Sequence, residues 1–124
     1  MTGVQTCALP IFDAANIDLK GFTDAWYKKL GGDLNTVKRS ITLAAEQCHT
    51  EVTTLLVPGE NDSVEEIREL ARWLAGVDPD IPLHLSRFFP RYQMTDWPPE
   101  SVGRIYRLAD EARAYLTYVY TGNC

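Results

Sequence analysis

The sequence is poor in cysteine, short of basic charge and without a long apolar run. Its 124 residues hold 3 cysteines, Cys7, Cys48 and Cys124, a number and spacing that suggest neither a disulfide scaffold nor a zinc site. Lys and Arg number 12 against 17 Asp and Glu, a formal net charge of −5. The cations form no run, so neither a nucleic-acid partner nor binding to a membrane surface is expected. No window approaches the roughly 18 consecutive apolar residues of a membrane span. Also missing are a phosphate-cradling glycine loop, a nucleophile elbow and any His/Cys spacing of the metal-ligand type. What remains is an ordinary globular balance, 45% hydrophobic and 23% charged. It implies one modest soluble domain or a piece of a larger one, expected in the cytoplasm.

Residues 1–11 (MTGVQTCALPI) lack both the basic start and the apolar core of a secretory signal. They read as the translation of a sequencing adapter from a GTG start, a non-native segment to be set aside together with Cys7. Residues 12–124 are then the protein proper, with its coding sequence cut at the start.

From residue 13 short apolar runs alternate with amphipathic ones. Asp13–Lys20 reads as a strand, and a short helix near Asp24–Leu30 is broken by Gly31 and Gly32. Val37, Ile41, Ala44, Ala45 and Cys48 recur at the spacing of one buried helix face. Glu51–Val57 is rich in β-branched residues and is stopped by Pro58-Gly59, the clearest strand of the chain. Ser63-Val64-Glu65-Glu66 has the pattern of a capping box, in which Glu66 reaches back to the Ser63 amide. The helix it opens is expected to bury Ile67, Leu70, Ala71 and Leu74 and to end at Gly76. Ile81–Phe88 is the next strand. Val102, Ile105, Tyr106, Ala109 and Ala112 mark the inward stripe of a last helix, and Leu116–Tyr120 a last strand. This alternation with short connections implies parallel strands joined by helical crossovers. The preferred architecture is an α/β fragment, about four βα units of a larger barrel. The alternative is a complete small flavodoxin-like domain, with its helices divided between two faces.

Strands of parallel sheets are normally buried on both sides. The first strand here is not. Alternation puts Ala15, Ile17 and Leu19 on one face and Asn16, Asp18 and Lys20 on the other. Inside a barrel the second set looks into the lumen at the strand's C-terminal end, where barrel enzymes place their chemistry. Charges there are costly unless paired or used on a ligand. The competing reading is a solvated edge strand, or a structural Asp18–Lys20 pair. Glu51 and Thr53 share a face, as do His84 and Ser86, while Arg87 points the other way. An arginine can grip a carboxylate or phosphate bidentately or serve a structural role. Candidate ligand contacts are therefore Asp18 and Lys20 first, then Asn16, Thr53, His84 and Arg87. The Pro58-Gly59-Glu60-Asn61-Asp62 loop runs into a helix N-terminus, either an anion site or a plain turn before a cap. Trp26, Trp73 and Trp97 share no spacing and read as packing residues.

Four segments together, NIDLKGF (16–22), TTLLVPGENDS (53–63), DPDIPLHLSRFFPRYQMTD (78–96) and YVYTGN (118–123), resemble one family. This is the radical S-adenosylmethionine (SAM) enzyme of the AmmeMemoRadiSam system, akin to pyruvate formate-lyase activating enzymes, and the likeness is to its C-terminal half. The resemblance extends over residues 12–124 and rests most on the VPGEND and SRFxPxYxMTD runs. It implies a partial (β/α)6 TIM-like radical SAM barrel whose [4Fe–4S] cluster sits on a CxxxCxxC loop near the first strand. In that family the cluster cleaves SAM to methionine and a 5′-deoxyadenosyl radical, which abstracts hydrogen from a protein or small-molecule substrate. Matched position by position, Lys20 corresponds to a lysine that contacts SAM, and Asp18 to a carboxylate near the amino-acid end of SAM. The sequence departs at Phe89, where histidine is usual, and the family continues past the final GN into a tail. The larger departure is the cluster loop itself. Three thiolates must come from one short loop, and no CxxxCxxC occurs here. The chain is thus expected to be a barrel fragment truncated at both ends, with no metal ligands of its own and no assignable catalytic residue. It is expected to bind neither cluster nor SAM stably by itself and to be inactive alone. The alternative reading is a non-catalytic parallel α/β module binding an anionic ligand at the strand C-terminal ends.

Overall fold

From Ala14 onward each strand is followed by one helix, or by two after the first, before the next strand. In the computed structural model, which describes residues 14–87 and 101–122, β1 (Ala14–Asp18) leads to α1 (Asp24–Leu30), α2 (Leu34–Gln47) and β2 (His49–Leu56). Then come α3 (Val64–Val77), β3 (Leu83–Arg87), α4 (Val102–Ala112) and β4 (Val119–Gly122). Each helix opens on a residue whose side-chain oxygen accepts an orphan amide. Thr23 takes Trp26 N–H at 3.1 Å, Asp33 takes Thr36 at 3.1 Å, Ser63 takes Glu66 at 3.1 Å and Ser101 takes Arg104 at 3.0 Å. Such caps contribute about 1 kcal/mol apiece. α1 ends at Gly31 with φ +81°, a left-handed stop that glycine adopts without strain.

All three strand pairings are parallel, and the sheet order is β1-β2-β3-β4. Each crossover therefore steps one strand onward in the same direction, as in a barrel. A doubly wound sheet reverses direction at a switch point, and no reversal occurs among the described strands. Burial agrees with the topology. Ala15, Ile17, Leu19, Val52, Leu56, Leu83, Leu85 and Val119 face the helices in one core with Tyr27, Val37, Ile41, Ile67, Leu70, Leu74, Ile105 and Leu108. The intervening strand residues are exposed or half-buried. The described helices cover one face of the sheet, so the flavodoxin-like alternative is set aside and the α/β barrel fragment stands.

Several boundaries differ from the sequence reading, each for a tertiary reason. β2 begins at His49, two residues early, because Ala14 pairs with His49 and Ala15 with Thr50. β3 begins at Leu83; Pro82 has no amide to give, and only its carbonyl serves the sheet, accepting Val52 N–H at 2.9 Å. β4 runs over Val119–Gly122 because Leu83 takes Val119 as its partner, while Leu116 and Thr117 close the turn, their amides bonded to Ala112 O and Pro79 O at 3.0 Å each. In α4 the inward stripe is Ile105, Leu108, Ala109 and Ala112, and Tyr106 points out with 49% of its surface exposed. α3 continues through Gly76 and is capped at Asp78, since the Asp78 amide still reaches Leu74 O at 2.9 Å. Phe88, Phe89 and Trp97 lie outside the described residues.

Candidate functional site: the polar sheet face and the clamp beneath Lys20

Strand alternation places a band of polar side chains on the sheet face away from the helices. Register brings Asn16 opposite Glu51, Asp18 opposite Thr53, Thr53 opposite His84 and His84 opposite Tyr120. Asp18, Thr53, His84 and Tyr120 therefore form one row across the sheet, with Lys20 just beyond β1. The Lys20 ammonium lies 3.1 Å from Asp18 Oδ2, both side chains being 53% exposed. An ion pair so open to water contributes about 0–1 kcal/mol. Stability therefore does not explain it, and both charges stay accessible to a ligand. The Thr53 hydroxyl donates to Asn16 Oδ1 at 3.2 Å. The Glu51 carboxylate takes His84 Nε2 at 2.6 Å on one oxygen and His49 Nε2 at 2.9 Å on the other. Those bonds, from His49 first and then His84, hold the Glu51 carboxyl below the usual carboxylate range. The His84 ring stacks on Tyr120 with centroids 5.3 Å apart. Leu55, 44% exposed, is an apolar member of the same face.

Behind this face the backbone carrying Lys20 is clamped from β2, α1, α3 and the loop before α3. The Leu19 amide extends the ladder to Thr53 O at 2.9 Å, and Leu19 O accepts the Thr54 hydroxyl at 2.6 Å. The Lys20 amide donates to the Tyr27 hydroxyl at 2.8 Å. Lys20 O accepts both the Trp26 indole N–H at 2.7 Å and the Asn61 amide at 2.9 Å. The Phe22 amide donates to Glu66 Oε2 at 2.7 Å. Between them, Gly21 leaves no room for a side chain: a Cβ there stands 2.6 Å from Trp26 Cδ1 and 3.0 Å from Glu66 Oε2. Asn61, 1% exposed, also accepts Val57 N–H at 2.7 Å and donates to Leu55 O at 2.9 Å. Burial pushes the Glu66 carboxyl and the Tyr27 phenol upward in pKa. A cleft of about 650 Å³ opens beside this segment, lined by Asp18, Lys20, Tyr27, Gly31, Asp33 and Thr36 among others.

The structure thus brings Asn16, Asp18, Lys20, Thr53 and His84 to one face. Arg87 alternates to the opposite one, at the half-buried end of β3. From sequence alone Trp26, Asn61 and Glu66 have other roles and Tyr27 is not singled out, yet these four residues hold the Lys20 backbone and its neighbour Phe22. Trp26 looked like packing, yet its indole N–H is spent on Lys20 O. Glu66 caps nothing; its carboxylate leaves its own helix end for Phe22. The Pro58–Asp62 segment is a turn whose side chains and carbonyls are bonded within it and to α1 and α4. Asp62 Oδ1 takes Gly59 N–H at 3.0 Å, and Asp62 O takes the Arg104 guanidinium at 2.8 and 3.2 Å.

Among the described residues no three His, Cys, Asp or Glu side chains converge as a metal requires. Cys48, at the end of α2, is the described cysteine, and the three cysteines of the sequence stand 41 or more positions apart where a cluster loop needs three within one short stretch. A [4Fe–4S] cluster therefore does not fit this chain. No described helix is long and apolar enough to cross a membrane.

No family model matches the chain. The uncharacterized protein MJ0808 of Methanocaldococcus jannaschii is 38% identical over 121 residues, an alignment covering 94% of this chain and 35% of that protein. Among solved structures, a radical SAM methyltransferase from Sphaerobacter thermophilus aligns with a TM-score of 0.77 at 21% identity, over 93% of this chain and 35% of that one. The chain thus spans about a third of the length of each. Its fold, four parallel strands alternating with helices, is that of the aligned segment of this methyltransferase.

Proposed function

We propose that this chain is part of a radical SAM enzyme, and that its polar sheet face is the stretch of barrel lumen that receives the amino-acid end of SAM. The observation that carries the reading is the clamp beneath Lys20. Five side chains and a side-chain-free Gly21 fix the backbone there, while the ammonium itself projects into the open. Spending buried polar groups to orient one exposed cation is the arrangement of a preorganised ligand contact. The resemblance of DLK to a SAM-contacting segment fits the same residues. In this reading Lys20 takes the carboxylate of SAM and Asp18 its ammonium, while the Asn16–Thr53 pair continues the polar wall. When bound, SAM supplies a sulfonium-activated carbon. Since the cluster does not fit these residues, its ligands belong to a part of the enzyme outside this sequence, on a CxxxCxxC loop upstream.

An anion-binding module of another kind is the weaker reading. The face carries two carboxylates, Asp18 and Glu51, against one ammonium, and the loop amides are already bonded.

The test begins at the genomic locus. Sequencing upstream of the codon for Asp18 is expected to reveal CxxxCxxC. The joined enzyme, reconstituted anaerobically with iron and sulfide, is expected to release 5′-deoxyadenosine from SAM. In it Lys20→Met is expected to weaken SAM binding at least tenfold, the worth of one hydrogen bond to a charged group at about 1.5–3 kcal/mol. This chain alone is expected to take up no stoichiometric cluster. A stoichiometric cluster on this chain, or an upstream region without the cysteine loop, overturns the proposal.

A further inference from the structure

We propose that Glu51 and His84 form a proton-exchanging dyad, presenting His84 Nδ1 as a base to a substrate that carries an O–H or N–H group. The inference rests on the sheet face alone and holds whether or not SAM binds there.

An ionised carboxylate can only accept hydrogen bonds. Glu51 Oε1 stands 2.6 Å from His84 Nε2 and Oε2 stands 2.9 Å from His49 Nε2, so in each neutral ring the proton sits on Nε2. That leaves Nδ1 with a lone pair, and among the described residues no group hydrogen-bonds to it at His84. The ring is held in plane by the stack on Tyr120, tilted 29°. Its side chain is 35% exposed, enough for a ligand to reach, whereas a ring serving only as core would be closed off. His49 occupies the second oxygen and keeps the carboxylate from turning away. The charged and titratable neighbours on this face are Asp18 and Lys20 beyond Thr53 on the β1 side, and the Tyr120 phenol on the β4 side.

The step balances within these atoms. An O–H or N–H bond of the substrate breaks and an Nδ1–H bond forms, with the electron pair left on the substrate heteroatom. The resulting imidazolium is stabilised by the adjacent Glu51 carboxylate, as in other carboxylate–histidine pairs. A glutamate is ionised at neutral pH in any case, and the hydrogen bonds from the two imidazoles lower the Glu51 carboxyl further.

Two measurements on this chain test the idea. The first is long-range 1H–15N correlation of the imidazoles in the wild type at pH 8, expected to show His84 as the Nε2–H tautomer. The second is the rate at which diethyl pyrocarbonate, which acylates an unprotonated ring nitrogen, modifies His84 in wild type and in Glu51→Gln. With a glutamine, His84 meets either the amide NH2, which forces the Nδ1–H tautomer, or a neutral oxygen, which polarises the Nε2–H bond less than a carboxylate does; in both orientations Nδ1 becomes the poorer nucleophile. His84 acylation is expected to slow several-fold in Glu51→Gln. Either an Nδ1–H tautomer or a doubly protonated ring in the wild type at pH 8 overturns the proposal, the second by making the cluster an ion-pair brace. Equal acylation rates in the two proteins overturn it too. If Glu51→Gln fails to fold, the wild-type tautomer decides alone.

Discussion

Asn61→Ala is the sharpest probe of how this site is built. The Asn61 amide is 1% exposed and makes three bonds to main chain: it accepts from Val57 N–H at 2.7 Å and donates to Lys20 O and Leu55 O at 2.9 Å each. At about 1 kcal/mol net per bond the loss comes to about 3 kcal/mol. Lys20 O retains the Trp26 indole as a partner, which trims the loss, while the Val57 amide is left without one, which restores it. Asn61→Asp is isosteric, yet at neutral pH it turns both donors into acceptors aimed at carbonyls. It is expected to cost more than Asn61→Ala, about 4 kcal/mol or above at pH 7.5. Buried and facing two carbonyls, the new carboxyl binds its proton more tightly folded than unfolded. Its destabilisation is therefore full above the folded-state pKa and shrinks as pH falls through it. Urea denaturation followed by far-UV circular dichroism at pH 7.5 and 5.0 reads these differences, with Asn35→Ala, at an exposed position of α2, as the control expected within about 0.5 kcal/mol. An Asn61→Ala cost no larger than the control, or Asn61→Asp more stable than Asn61→Ala at pH 7.5, refutes the clamp.

Three further outcomes are expected from the same elements. Glu66 is a carboxyl whose folded-state pKa is raised by burial, so it favours folding at low pH and loses that contribution as pH rises through the raised value. Glu66→Gln keeps an acceptor for Phe22 N–H and is expected to gain on the wild type as pH goes from 4 to 7 in urea titrations, the pH window being a rough one set by the ordinary glutamate pKa of about 4.3, while Glu66→Leu loses about 1–3 kcal/mol at any pH; a Glu66→Gln variant that falls behind with rising pH contradicts the burial argument. Gly21→Ala drives a methyl to 2.6 Å from Trp26 Cδ1 and is expected to cost about 1–3 kcal/mol, with a shift in tryptophan emission as the indole leaves Lys20 O; an unchanged spectrum and midpoint contradict the close fit. Lys20→Met removes only an exposed pair and is expected to change the urea midpoint by less than about 0.5 kcal/mol equivalent; a larger loss makes the pair structural.

What could be read from the sequence were features that repeat. Asn16, Asp18 and Lys20 alternate with Ala15, Ile17 and Leu19, and the structure puts the two sets on opposite faces. Ser63 announced the start of α3 because a hydroxyl three residues before an amide is a local arrangement. Strand ends were less legible: nothing local tells β4 to start at Val119, because that start is set by its pairing with Leu83. Tyr106 misled for a related reason, being apolar enough for the core stripe while Leu108 fits the spacing better. The clamp left no trace at all. Its bonds join residues 41 apart in Asn61–Lys20 and 44 apart in Glu66–Phe22, and a lone buried polar residue has no periodicity to betray it.

The two sides of β1 therefore do different jobs at the same residue. On the helix side, Trp26, Tyr27, Thr54, Asn61 and Glu66 each hydrogen-bond main chain at or beside Lys20, and removing one orphans a partner whose cost is felt in folding. On the open side, Asp18 pairs with Lys20, Thr53 with Asn16 and His84 with Glu51, all in partial water, where pairing is cheap to break. A ligand entering from that side displaces exchangeable bonds and meets a backbone that need not move. That is why the charges most expensive to bury lie on the surface with the least folding energy, one strand thickness from the groups that carry the most. Sequence variation at the clamp should register as lost protein, and variation on the open face as altered binding at unchanged stability.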